Sequence, residues 1–276
     1  MQMQNHHKTE LPELAGYFSV PNAHLYTVLH QVENPVARLL LVGPFAAERH
    51  YAYRPMVCWA RYLAENGVEV LRYDYRGVGE STGVFEEMNF AHWNEDVRIL
   101  AGWLANRSPN VPLILHGLEM GALLAARRFS EGTGDALLLW ASPVDANQVL
   151  RSVLLRWAGL EKLWESSESR KPASQYIRRL EQGSSIEVHG YQWSSRLWRE
   201  SLHCDLPSAL RDEALALRAY EKPVKSVRFR EDAKSLVMPY ARHPDIADLS
   251  SLYSNNFNWI TKILTPSTGG INEGGD

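Results

Sequence analysis

Between an apolar run at Leu113, Ile114 and Leu115 and the small, apolar stretch Ala122-Leu123-Leu124-Ala125-Ala126 stands His116-Gly117-Leu118-Glu119-Met120-Gly121. Two glycines four residues apart also mark close helix packing, but a strand before them and a helix after them favour a tight elbow. Such an elbow raises its central side chain above the carboxyl edge of a sheet. The centre here is Glu119, and three chemistries are open to a carboxylate in that place. It can attack as a nucleophile, but the ester it forms must then be released by water, which needs a base. It can carry a proton as a general acid or base in a lyase-like reaction. Or it can stay an anion at the start of the following helix, where backbone N–H groups and the helix dipole favour the charge. That last placement predicts a pKa below the ordinary glutamate value and a side chain folded back onto those donors.

An elbow needs a sheet to stand on, and the pattern around it supplies one. Arg38 to Val42 is a continuous apolar run closed by Gly43-Pro44, as in a strand buried on both faces. Met56, Trp59, Ala60, Leu63 and Ala64 recur at helical spacing before Gly67. Val68 to Tyr75 reads as the next strand; Trp93, Val97, Leu100 and Leu104 line a further helix, which ends near Ser108-Pro109. Strand and helix alternate through the elbow to a strand at Ala136–Ala141, the signature of a mostly parallel, doubly wound α/β sheet. Tyr17–Val20 and Leu25–Leu29, around Pro21-Asn22, predict an antiparallel hairpin at its edge. The glycine-rich Arg76-Gly77-Val78-Gly79-Glu80-Ser81-Thr82-Gly83 follows a strand but fits neither nucleotide-binding spacing.

Beyond Gln148 the pattern breaks into amphipathic pieces rich in tryptophan (Trp157, Trp164, Trp193, Trp198), with a polar break at Ser166–Lys171. That composition predicts a helical cap over 148–201, inserted into a core of 13–147 and 202–264, although any one of these tryptophans could equally be core. Val224–Phe229 and Leu249–Tyr253 read as the last two strands and Phe257–Leu264 as a closing helix. Residues 1–12 and 265–276 are polar and turn-rich and read as tails. The 276 residues, 45% hydrophobic and 22% charged, suffice for one large core. A net charge of −3 with scattered Lys and Arg argues against nucleic acid. Cys58 and Cys204 have neither a spacing partner nor a histidine cluster, so no disulfide framework, metal or cofactor is expected. No apolar run reaches transmembrane length and the first residues lack a signal-peptide core, so a cytoplasmic protein is expected.

The stretches Gly43-Pro44-Phe45-Ala46-Ala47-Glu48, Tyr73-Asp74-Tyr75-Arg76-Gly77-Val78-Gly79-Glu80-Ser81, His116 to Ala125 and Leu138-Leu139-Trp140-Ala141-Ser142-Pro143-Val144-Asp145 together resemble the α/β-hydrolases. Within them the chain is similar to divergent hydrolase-like proteins found with bacterial exosortase and exopolysaccharide systems. The resemblance spans roughly 15 to 265 and is firm to about 150. It implies the α/β-hydrolase fold with an inserted helical cap, and a site of nucleophile, acid and histidine in that chain order. The nucleophile position falls on Glu119. The acid falls on Asp232, with Asp145 as the alternative, and the histidine position on Asn256. His243 is the alternative base, but it precedes the last predicted strand and reads as a surface-loop residue. The oxyanion donors fall on the N–H groups of Met120 and Phe45, since Pro44 has none to give. Two of the three catalytic types are thus missing, and Glu119, Asp232 and Asn256 should converge beneath the cap. The function implied is a hydrolase-like protein without serine-hydrolase activity that binds a small acyl or glycan-linked ligand or a protein partner. The alternative is an active hydrolase or lyase-like enzyme using Glu119.

Overall fold

The computed structural model describes residues 12–164, 172–210, 225–229 and 249–264. Strands β1 (Glu13–Val20) and β2 (Ala23–His30) form the predicted hairpin, with Asn22 in the left-handed region at its turn. Then come β3 (Ala37–Val42), α1 (Arg49–Glu65), β4 (Val68–Tyr73), α2 (Phe90–Asn106), β5 (Leu113–Leu118), α3 (Met120–Ser130) and β6 (Ala136–Trp140). A segment of α4 (Ala146–Trp164), α5 (Ala173–Glu181), the hairpin β7 (Ile186–Val188) and β8 (Tyr191–Trp193), and α6 (Ser195–Ser201) follows. Strand β9 (Lys225–Phe229) and helix α7 (Ser250–Leu264) complete the described chain. The seven-stranded sheet runs β1-β2-β4-β3-β5-β6-β9; β2 is antiparallel to β1 and β4, and all other pairings are parallel.

Alternate residues of the central strands feed two cores. Leu40 and Val42 of β3 face α2, α3 and the 146–201 segment, while Ala37, Leu39 and Leu41 face α1 and α7. This two-sided burial is why β3 and β6 read as unbroken apolar runs. One expectation fails here: Leu249–Tyr253 is no strand, because α7 starts at Ser250 and runs unbroken to Leu264. Leu252, Asn256, Ile260 and Ile263 are buried at helical spacing, and that period outweighs the β-prone Leu-Tyr dipeptide. The Tyr253 hydroxyl donates to the Pro55 carbonyl and ties α7 to α1. The expected tails fall largely outside the described residues. No described helix is long and apolar enough to cross a membrane.

Candidate functional site

The elbow is built by two glycines that cannot be anything else. A Cβ on Gly117 would lie 2.4 Å from Cα of Ala122, and one on Gly121 would lie 2.2 Å from the carbonyl oxygens of both Val42 and Gly43. Close approach of α3 to the end of β3 is what these positions permit. It leaves Glu119 at φ 52° and ψ −120°, a conformation that glutamate adopts only at a cost of about 1–3 kcal/mol. The strand end holds it there, with the Glu119 N–H donating to the Trp140 carbonyl at 2.9 Å and Ala122 N–H to the Glu119 carbonyl at 2.9 Å. The Tyr75 hydroxyl, buried and raised above its usual pKa by desolvation, donates to the Gly43 carbonyl and fixes the facing loop.

Glu119 is only 9% exposed, and its Oε2 accepts the Met120 N–H at 2.8 Å. The backbone of Phe45 makes a further, smaller hydrogen-bonding contribution. The two groups read from the sequence as oxyanion donors therefore face the carboxyl group of Glu119 itself. The expected lowering of its pKa does not follow. Burial pushes it up to about 7, the nearby charge of Glu48 adds to the rise, and Met120, Arg156 and Phe45 oppose it without winning. The Met120 and Phe45 N–H groups and the Arg156 charge do not replace the water that a buried carboxylate loses.

Three residues that the sequence reading did not single out complete the surroundings. Glu48, 4% exposed, follows the β3 loop; its Oε1 accepts from Arg156 Nη2 of α4, and its Oε2 is buried without a partner. His189 sits in the β7–β8 turn at φ 51°, edge-on to Trp157 at 4.6 Å, its pKa lowered by burial. A shallow, tightly packed crevice with no room for a water molecule lies among Phe45, Glu48, Val153, Val188, His189 and Trp193. Glu48 belongs to the Gly43–Glu48 stretch that carried the resemblance, so its place beside the site was within reach of the sequence. Arg156 and His189 gave no such signal.

Other sequence-derived candidates lie elsewhere. Asn256 does not converge on Glu119: fully buried in α7, it accepts the Trp140 indole N–H at 2.8 Å and donates to the Leu252 carbonyl at 2.6 Å, within the α1/α7 layer. That expectation fails because it placed Asn256 after a strand where the chain is helical. Asp145 caps α4, its Oδ1 accepting the Gln148 N–H at 2.7 Å. Asp232 and His243 lie outside the described residues. Since Ser250–Leu264 is helical, no described strand follows the position of His243. His116, three residues before Glu119, packs between Trp59 and Trp140 in the α1/α7 layer, its pKa pushed down to about 4 by burial. Among the described residues no histidine hydrogen-bonds Glu119, and no group of His, Cys, Asp or Glu could hold a metal ion.

Comparison with known proteins agrees with this architecture. The sequence model of the family described as Serine aminopeptidase, S33, matches residues 48–182, slightly under half of the chain. No curated protein matches the sequence. Among solved structures, a soluble variant of monoglyceride lipase from Saccharomyces cerevisiae, in complex with a substrate analog, aligns at TM-score 0.60 and 14% identity. It covers 92% of this chain and 96% of that one. The alpha/beta hydrolase GrgF from Penicillium sp. sh18 aligns at TM-score 0.55 and 18% identity over 92% of this chain and 99% of its own. An alpha-beta serine hydrolase homologue from Coxiella burnetii, 19% identical, overlaps 47% of this chain and 63% of that protein at TM-score 0.41. The chain has the α/β-hydrolase fold.

Proposed function

We propose that this is a hydrolase-fold protein without serine-type hydrolase activity, in which the site beneath a cap serves to bind a small acyl or glycan-linked molecule or a protein partner. The observation that carries the reading is the 2.8 Å bond from the Met120 N–H to Glu119 Oε2. A donor that would stabilise the oxyanion of a tetrahedral intermediate is engaged by a resident carboxyl group, and catalysis of acyl transfer depends on such donors being free. The resemblance of the 43–48, 73–81 and 138–145 stretches to hydrolase-like proteins of exosortase and exopolysaccharide systems favours a glycan-linked ligand. Asp232, by chain order alone, keeps the proposed place of the acid, and His243 stays the alternative base.

A second reading rests on the Glu119 pKa of about 7. A carboxyl group that is half protonated near neutrality is matched to general acid or base work on an ester-like substrate. The two readings separate in one experiment. Purified protein is treated with a fluorophosphonate probe and assayed on short p-nitrophenyl esters beside Glu119→Ala. No labelling, and turnover equal in the two proteins, is the expected result. Ester turnover that depends on Glu119, with an inflection near pH 7 in its rate profile, would replace the first reading by the second.

A further inference from the structure

A shallow, open cleft with about 30 Å³ of solvent-accessible space at its floor lies at the carboxyl ends of β3 and β4 and shares no lining residue with the crevice beside Glu48. One face of α1 supplies Arg49, Tyr53, Met56 and Val57 at helical spacing, and the sheet supplies Gly43-Pro44, Arg72 and the Tyr73–Tyr75 turn. Crevices outside the carboxyl ends of the strands are where open α/β sheets hold ligands.

The two arginines of this cleft are in different states. Arg49 is satisfied: its Nε and Nη2 donate to Oδ1 and Oδ2 of Asp74 at 3.0 and 2.7 Å. Arg72 is not. Its Nε donates to His30 Nε2 at 3.0 Å, and its Nη1 is 3.5 Å from the Tyr53 hydroxyl. His30 is neutral, since burial takes its pKa down to about 4. Glu13, whose carboxylate feels the charge of Arg72, is hydrogen-bonded by Arg61. No carboxylate among the described residues is ion-paired with Arg72. Both guanidinium groups lie over the ring of Tyr53, at 5.3 Å for Arg49 and 5.5 Å for Arg72, so the ring is held by the two cations. Two positive side chains and one negative one, Asp74, leave the cleft with one uncompensated positive charge.

We propose that this cleft binds a small organic carboxylate, its anionic end on the Nη1–Nη2 edge of Arg72 and its apolar body against Pro44, Met56 and Val57. The planar edge of a guanidinium accepts a carboxylate through two parallel hydrogen bonds. The apolar wall distinguishes such a ligand from a bare inorganic anion, which would bury nothing there.

The test uses the full chain, ¹⁵N-labelled, titrated with sodium hexanoate at constant ionic strength while the amides of α1 and the arginine Nε–H signals are followed. The structure calls for saturable shifts centred on Arg49–Val57 and Arg72. Arg72→Gln should weaken binding by roughly tenfold or more, a loss of about 1.4 kcal/mol. Met56→Trp fills the cleft while keeping both arginines, and should weaken it as much, which guards against a folding defect in the first variant. Inorganic phosphate should bind at least roughly tenfold more weakly than hexanoate, because it lacks the apolar contact. Shifts that do not saturate, binding unchanged in Met56→Trp or in a folded Arg72→Gln, or phosphate binding as well as hexanoate would each overturn the proposal.

Discussion

Replacing Glu119 by glutamine removes one ionisation and little else, so it reads directly how the fold treats that charge. The amide oxygen can still accept the Met120 N–H, and the side chain keeps its length. In the wild type the folded-state pKa is about 7 against an ordinary glutamate value of 4.5. A raised carboxyl pKa means that the folded protein holds its proton more tightly than the unfolded chain. Stability therefore grows as pH falls through 7 and is complete below 4.5; above 7 the buried group must ionise and stability is lost. A difference of 2.5 units at 1.36 kcal/mol each gives about 3 kcal/mol between the two ends. Glu119→Gln lacks this pH-dependent cost. It should match the wild type near pH 4.5 and be more stable by up to about 3 kcal/mol at pH 8.5. Urea melts of both proteins at half-unit steps between pH 4.5 and 9 measure the difference. A wild type as stable as the variant, or more so, at pH 8.5 would show that the Met120 and Phe45 bonds outweigh burial, and the reasoning about this site would be wrong.

Three further substitutions, two beside Glu119 and one across the sheet, have set outcomes. Arg156→Met should raise the Glu119 pKa, since Arg156 opposes the rise, and so move the pH-dependent arm of the same melts to higher pH; Glu48→Gln should move it lower. Asn256→Ala leaves the buried Trp140 indole N–H without its acceptor, at a cost of about 1–3 kcal/mol in chemical denaturation. It should leave the pH-dependent arm set by Glu119 where it was; a shift of that arm would mean that Asn256 reaches the elbow after all.

What could be read without coordinates was whatever repeats or forbids. Leu39 to Val42 announced a strand buried on both faces because every residue was apolar, and Gly117 and Gly121 announced a close approach that a Cβ would block. The identity of Phe45 and Met120 as donors came through resemblance, and both do face Glu119. The sign of the Glu119 pKa shift was not legible, because a helix start favours the anion while burial opposes it, and only the packed structure says how much water is left. Asn256 was misplaced because Ser254-Asn255-Asn256 carries the composition of a turn, while the helical period that overrides it is visible only when Leu252, Ile260 and Ile263 are counted together. Arg156 and Glu48 are 108 residues apart and meet only because α4 folds back over the β3 loop.

Trp140 has one consequence that reaches across the sheet. Its backbone carbonyl restrains the Glu119 amide, while its indole is gripped by Asn256 of α7 in the opposite layer. The strained residue and the final described helix thus hang from the two ends of one side chain and its peptide group. Leu118 of the elbow and Leu252, Ile260 and Ile263 of α7 pack in the same core as this indole, so local opening of α7 would loosen the packing beneath the elbow. Hydrogen exchange measured on the two stretches in Asn256→Ala should show faster exchange at the elbow amides along with those of α7.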